Sequence, residues 1–204
     1  VQTNLLVEGF YTDLDDVFTL TKAGEDEAGN IVKMRRNASG ATVAGITSEL
    51  KIGISNAFEV QLGYTFQRSR YDEPERWSDD AEPQRRMFRT PDLYGYLTAG
   101  FTPAKGFGID LSGTYTGRML VQHMAGSGVV RDTAVTTPQF FDLGVKVAYE
   151  FALYRQIRVQ LHAGIKNLFN AYQRDFDRGA DRDSGYIYGP STPRSWTAGI
   201  KVSF

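Results

Sequence analysis

A period of two runs through most of this chain and constrains its fold more than any other feature. At the C-terminus Trp196, Ala198, Ile200, Val202 and Phe204 alternate with Thr197, Gly199, Lys201 and Ser203. Successive side chains of a strand point to opposite faces, so this segment has one apolar face and one polar or small face. Residues 141–151 set Phe141, Leu143, Val145, Val147, Tyr149 and Phe151 against Asp142, Gly144, Lys146, Ala148 and Glu150. Residues 157–166 set Val159, Leu161, Ala163 and Ile165 against Arg158, Gln160, His162, Gly164 and Lys166, and residues 58–67 and 107–119 repeat the pattern. In 92–102, Tyr94 and Tyr96 fall opposite Leu93, Leu97, Ala99 and Phe101. With 41–52 and a first segment near 4–21, apolar on both parities around Leu5, Leu6 and Val7, these are eight expected strands without a helical competitor.

The connections alternate in length. Those near 53–57, 103–106 and 153–156 are short; those near 22–34, 72–90, 120–138 and 167–192 are long, polar and rich in Gly, Pro, Asp and Arg. Short turns at one end and long loops at the other characterise an antiparallel outer-membrane barrel, whereas a sandwich gives no reason to sort its loops by length. A strand of about 11 residues at about 3.3 Å each, tilted about 45°, spans about 25 Å, the height of the apolar band of such a barrel. Phe66, Tyr71, Tyr149, Phe151, Phe169, Tyr172, Trp196 and Phe204 lie near strand ends, where interfacial aromatic girdles belong.

Composition agrees by what it leaves out. Hydrophobic residues make up 41%, with no apolar run long enough for a membrane-spanning helix; a barrel needs none, because it hides its apolar residues at every second position. Net charge is −1, so the chain as a whole offers no basic field for nucleic acid or anionic lipid. There is no cysteine, and the two histidines accompany no nucleophile elbow or metal cluster, so neither a cofactor nor an enzyme activity is expected.

Eight strands could close into a small barrel filled by its own side chains, or be neighbours in a larger one. The fixed ending with Thr197, Gly199, Val202 and terminal Phe204 resembles the assembly signal read by the insertion machinery of outer-membrane barrels. The segment Ile165-Lys166-Asn167-Leu168-Phe169-Asn170-Ala171-Tyr172, followed by a long loop and Pro193-Arg194-Ser195-Trp196, resembles the end of a TonB-dependent outer-membrane receptor. Phe10-Tyr11-Thr12-Asp13-Leu14-Asp15-Asp16-Val17, and Asn37-Ala38-Ser39-Gly40 leading to Gly45-Ile46-Thr47-Ser48-Glu49-Leu50, resemble earlier strands of the same barrels. The resemblance implies that residues 1–204 are the C-terminal segment of the barrel, the last eight of about 22 strands, without the plug domain.

It further implies outer-membrane residence in a Gram-negative-type bacterium and uptake of a scarce nutrient: a ferric siderophore, haem or cobalamin. The implied partners are outer-membrane lipid, the remaining strands and plug in the same or a separate chain, and an energy-coupling inner-membrane complex acting through that plug. The alternative is a self-contained eight-stranded barrel with a structural, anchoring or adhesive role; a barrel enzyme would need a Ser/His or Asp/His constellation on the upper rim.

Candidate ligand contacts lie in the long loops. Arg85, Arg86 and Arg89 follow an acidic run in 72–90, and guanidinium suits the carboxylate and catecholate oxygens of an anionic ferric complex. His123 and Met124 are potential haem-iron ligands, although a single loop histidine is more often incidental. Tyr186 and Tyr188 could pack on a ligand ring or on neighbouring loops. Asp175, Asp177, Asp181 and Asp183, interspersed with Arg174, Arg178 and Arg182, lack the ligand order of a calcium loop and are expected to pair among themselves.

Overall fold

The computed structural model describes residues 1–37 and 39–204. Ala38, within one of the stretches that carry the resemblance, lies outside the described residues. The described chain is all-β. Its strands are β1 (Gln2–Leu14), β2 (Phe18–Glu25), β3 (Ile31–Asn37), β4 (Ala41–Ser55), β5 (Phe58–Glu75), β6 (Gln84–Arg86), β7 (Leu93–Ala104), β8 (Phe107–Thr116), β9 (Leu120–His123), β10 (Thr133–Thr136), β11 (Phe140–Tyr154), β12 (Ile157–Lys166) and β13 (Ser195–Ser203). Eight of them form one antiparallel meander in the order β1-β4-β5-β7-β8-β11-β12-β13, with β6 adding to β5.

The eight expected strands are these eight, with two adjustments. The expected first strand splits: β1 stops at Leu14, Asp16 turns the chain with a φ of 52°, and Phe18 onward forms a separate hairpin with β3. Apolar residues on both parities concealed this break. Likewise β8 ends at Thr116, where the Gly117 amide donates to the Leu93 carbonyl, so Arg118 and Met119 leave the sheet.

Register makes the apolar stripes one surface. Directly paired residues share a face, and the pairing carries it from Trp196, Ala198, Ile200 and Val202 to Ile165, Ala163, Leu161 and Val159, then to Val145, Val147, Tyr149 and Phe151. It continues through Leu111, Ile109 and Phe107, through Ala99 and Phe101, and through Val60, Leu62, Tyr64 and Phe66 to Ile52, Leu50 and Ile46. The register of β1, ambiguous in the sequence, follows: Leu5 pairs with Leu50 and Val7 with Ser48, which sends Leu6 and Phe10 to the other face.

That other face is polar, and its bulky members pack on glycines. Tyr96 lies over Gly63, accepts a hydrogen bond from Gln61 Nε2 (2.9 Å) and donates to Glu49 Oε1 (3.2 Å). The His162 imidazole covers Gly199; a Cβ there would meet Nε2 at 2.6 Å. Tyr71, a girdle candidate, belongs to this inner parity opposite Ala41 and is buried. The exposed outer face carries Phe58, Phe101, Phe107, Tyr149 and Phe151 toward the short turns, and Tyr64, Phe66, Tyr115, Phe141 and Trp196 toward the long loops, with Phe141 stacked on Phe169 at 6.0 Å.

The accessible surface is 13425 Å². A compact soluble monomer of 22.8 kDa would expose about 9,600 Å². The excess reflects a one-layer sheet whose apolar face has no protein against it: Leu5, Val7, Ile46, Phe66, Trp196 and Ile200 are all more than half exposed. Large contiguous apolar exposure marks a surface that lipid or another chain covers. The sheet is open, with β1 paired only to β4 and β13 only to β12 among the described residues.

Candidate functional site at the long-loop end

The short connections are two-residue turns at 56–57, 105–106 and 155–156. Gly106 has a φ of 81°, and its carbonyl accepts the Glu150 amide at 2.6 Å; a Cβ would collide with the Glu150 backbone. All three turns lie at one end. The opposite end carries the four long connections, and the loops expected there contain structure: the β2–β3 hairpin, β6 and the β9–β10 hairpin. The buried apolar residues of the protein are concentrated there, in two clusters.

In one cluster Val121 and Phe140 pack with Tyr186 and Tyr188; in the other Trp77 and Ala81 pack with Met124, flanked by Phe88 and Ala134. Carboxylates join the loops. Asp175 accepts hydrogen bonds from the Tyr186 hydroxyl (2.7 Å) and the Tyr188 hydroxyl (2.5 Å). Asp177 lies 2.9 Å from His123 Nε2 through both oxygens and accepts the Asp183 amide at 3.1 Å. A carboxylate facing two donors only accepts, so Nε2 carries the proton. The His123 ring stacks on Tyr186 with centroids 3.6 Å apart and planes 3° from parallel. Asp183 accepts the Met124 amide (2.9 Å) and meets Lys33 at 3.5 Å, while Asp132 accepts the Ala125 amide (2.7 Å) and the Ser78 hydroxyl (2.5 Å). The expected self-pairing of the 175–183 charges is replaced by bonds to phenols, imidazole and backbone amides. Arginine was the expected partner because sequence proximity favours it; folding brings other donors closer.

Burial would raise the Asp175 pKa, but the hydrogen bonds from Tyr188 and Tyr186 outweigh it and hold the carboxyl below its ordinary value. The same burial, reinforced by Asp175, pushes the Tyr188 phenol up to about 12 and Tyr186 further still.

The candidate contact residues are distributed unevenly over this assembly. Arg85 is exposed, with Glu73 4.0 Å away. Arg86 binds Asp92 (2.8 Å) and the Arg118 carbonyl (3.1 Å). Arg89, at a φ of 58°, donates to the carbonyls of Ile187 (2.9 Å) and Gly185. His123, Tyr186 and Tyr188 are buried in the network above, and Met124 is fully buried. Arg85 and Arg89 are the exposed members of the set, and the Arg89 guanidinium is held by its two carbonyls. In β13, Thr197 and Gly199 face inward and Val202 outward against Val159, while Phe204 lies just beyond the strand and is almost wholly exposed.

Asn167 and Gln173 carry structural roles that residue type alone does not reveal. Asn167, fully buried, donates to the carbonyls of Ala171 and Thr192 at 2.9 Å and accepts the Ala171 amide at 2.8 Å, folding the end of β12 against the approach to β13. Gln173 brackets Tyr186 and Tyr188 through their backbone groups. Arg68 and Arg70 also escaped the sequence reading, which ended the strand at residue 67; continuing the alternation past Phe66 places both on the outer face.

A family model described as "TonB dependent receptor-like, beta-barrel" matches residues 2–168. A search of curated proteins gives no match. Among solved structures, the chain is similar to the ferric-catecholate import receptor Fiu of Escherichia coli K12 in its closed form (21% identity, TM-score 0.62, covering 96% of this chain and 25% of that one). It is similar to the siderophore receptor PirA of Acinetobacter baumannii (16%, TM-score 0.63, covering 99% and 30%) and to the ferripyoverdine receptor of Pseudomonas aeruginosa bound to ferripyoverdine (12%, TM-score 0.63, covering 97% and 24%). The chain thus spans less than a third of these structures' length, and the likeness is one of fold. The family match extends over most of the chain, and its residues form the antiparallel strands that such a barrel requires: the chain belongs to the β-barrel family of TonB-dependent receptors, which are transporters and not enzymes.

Proposed function

We propose that residues 1–204 form the C-terminal strands of a larger outer-membrane receptor barrel that imports a ferric siderophore. The observation that carries this reading is the combination of a continuous apolar outer face with two unpaired edge strands in a family of transport barrels. An unpaired backbone group in lipid costs several kcal/mol, so β1 and β13 need neighbouring strands to reside in a membrane. In this reading the long-loop end faces outside, the plug and energy-coupling complex act from the other side, and the C-terminal Thr197, Gly199, Val202 and Phe204 direct insertion.

A ferric siderophore is favoured over haem. The His123 Nε2 is committed to Asp177, and Met124 has no accessible surface, so neither is poised to ligate haem iron. Arg85, with Arg86 and Arg89 beside it, remains the contact candidate for an anionic chelate, and the fold neighbours include receptors named for ferric catecholate and ferripyoverdine. The test is uptake of radiolabelled iron by cells carrying the full-length receptor, offered ferric catecholate, ferric hydroxamate, haem or labelled cobalamin in turn. Energy-dependent uptake of one ferric siderophore is expected; uptake of haem or cobalamin alone overturns the ligand assignment, and no energy-dependent uptake of any overturns the transport reading.

A further inference from the structure

The apolar parity of β5 does not end at the girdle. Along the outer face Tyr64 and Phe66 are followed by Arg68 and Arg70, all four exposed, while Thr65, Gln67, Ser69 and Tyr71 between them are buried on the inner side. Two residues of a strand rise about 6.7 Å, or about 5 Å along the membrane normal at a tilt of about 45°. Arg68 therefore stands about 5 Å beyond the Phe66 ring, within the headgroup layer, which adds about 5–7 Å to each side of the hydrocarbon, and Arg70 about 10 Å beyond the ring, at the outer margin of that layer. Neither guanidinium has a hydrogen-bond or ion-pair partner among the described residues. Together with Arg85 and Arg86 they line an open groove of about 620 Å³, whose one carboxylate, Asp92, is already paired with Arg86.

Arginines raised on an aromatic belt and left unpaired face the one stratum of a membrane that is rich in phosphate. Guanidinium binds phosphate oxygens through two parallel N–H donors, and basic pockets at headgroup depth hold anionic lipids. We propose that the outer surface of β5 and β6 is a binding site for the phosphorylated headgroup of a lipid of the outward-facing leaflet, with Arg68 and Arg70 as its principal ligands. The lipid's acyl chains would lie on Tyr64, Phe66 and Leu62 below. This inference rests on the membrane-barrel reading of the sheet.

The experiment uses the full-length receptor in nanodiscs of a neutral phospholipid doped with diphosphoryl lipid A or with its phosphate-free counterpart, with bound lipid read by native mass spectrometry. The expected result is retention of the phosphorylated lipid, lowered on the order of tenfold by R68S/R70S, the loss of about two charge-assisted bonds after solvent screening. R68K/R70K should restore part of it, since lysine supplies charge without the paired donors. Equal retention of the phosphate-free lipid, an unchanged R68S/R70S variant, or displacement by inorganic phosphate at matched phosphate concentration overturns the proposal. So does a variant that loses ferric-siderophore affinity while keeping the lipid, because the groove would then belong to chelate capture. The quenching that a Phe66→Trp probe adds to that of the parent receptor, whose Trp196 already lies on the outer face, separates the two readings: added quenching by brominated acyl chains without lipid A retention defeats the headgroup site alone, and no added quenching defeats the membrane orientation as well.

Discussion

Removal of the Asp177 carboxylate by Asp177→Ala should loosen the loop assembly without dismantling the sheet. Asp177 and His123 are both nearly buried, with side-chain exposures of 4% and 7%. The substitution strips the acceptor from two donors at once, His123 Nε2–H at 2.9 Å and the Asp183 amide at 3.1 Å. A buried donor left without a partner costs about 1–3 kcal/mol, and water entering the vacated space trims the sum to about 2–3 kcal/mol. At 1.4 kcal/mol per tenfold, that is about 30- to 150-fold faster local opening. Amide hydrogen exchange in the full-length receptor reads it directly at Met124, whose N–H is held by Asp183, and at Tyr186, whose N–H donates to the Asp183 carbonyl. Sheet amides such as those of β11 and β12 should be unaffected, because local opening is separate from global unfolding.

The companion substitution His123→Phe sharpens the test. Phenylalanine keeps the stack on Tyr186 but leaves a buried carboxylate short of a donor, so it too should be costly. In the double variant the orphaned imidazole donor and the orphaned carboxylate disappear together, and the combined cost should fall clearly below the sum of the singles. Exchange at Met124 within about twofold of the wild type in D177A, or strict additivity in the double variant, would refute the view that this buried pair fastens the loops.

Alkaline titration at the phenolate absorption band should show Tyr188 and Tyr186 resisting ionisation, with Tyr188 titrating near pH 12. A phenol whose folded pKa is raised contributes stability that is complete below pH 10 and lost as the pH climbs toward 12; Asp175, held low, contributes stability present above the ordinary carboxyl value of 3.8 and lost as pH falls through its folded value. Asp175→Asn should bring both tyrosines back toward the ordinary value of 10. Trp77→Ala should cost about 3–5 kcal/mol in the local stability of its cluster, whereas Trp77→Phe should cost much less, because the Trp77 Nε1 is buried without a partner among the described residues; hydrogen exchange at the flanking loop amides distinguishes the two. On the outer face, Ile200→Arg at mid-strand should lower folding into lipid by about 2–4 kcal/mol, while Lys201→Arg on the inner face should be nearly neutral; the folded fraction on a heat-modifiability gel checks both.

Much of the sheet was legible because its signal is local. Each strand reports its two faces through alternation, and a polar turn or loop marks each end, so the eight strands could be placed with no knowledge of their neighbours. The failures have equally local causes. In β1 the run Leu5, Leu6, Val7 obscures the parity, and only pairing with Leu50 and Ser48 resolves it. Asp16 interrupts a stretch whose β propensity continues on both sides. Tyr71 has the look of a girdle residue, yet parity counted from Phe66 turns it inward.

The loop residues were harder to read because their environment comes from distant segments. His123, Met124, Tyr186 and Tyr188 were singled out for what such side chains can do when exposed. Each is instead absorbed by other side chains: Asp177 and Tyr186 for His123 and the Trp77 cluster for Met124, all far away in sequence, and for the tyrosines the distant Phe140 together with Asp175 of their own loop.

Sequence alone determined that this chain forms antiparallel strands with one apolar and one polar face, connected by short turns at one end and long loops at the other. These properties depend on side-chain alternation and turn chemistry within a dozen residues. Tertiary structure decided that the apolar stripes merge across all eight strands, that both edges stay open, that the loops knit through buried carboxylates, and that Arg68 and Arg70 stand free above the aromatic belt. Register, burial and partnering are properties of pairs of segments, and no single segment contains them.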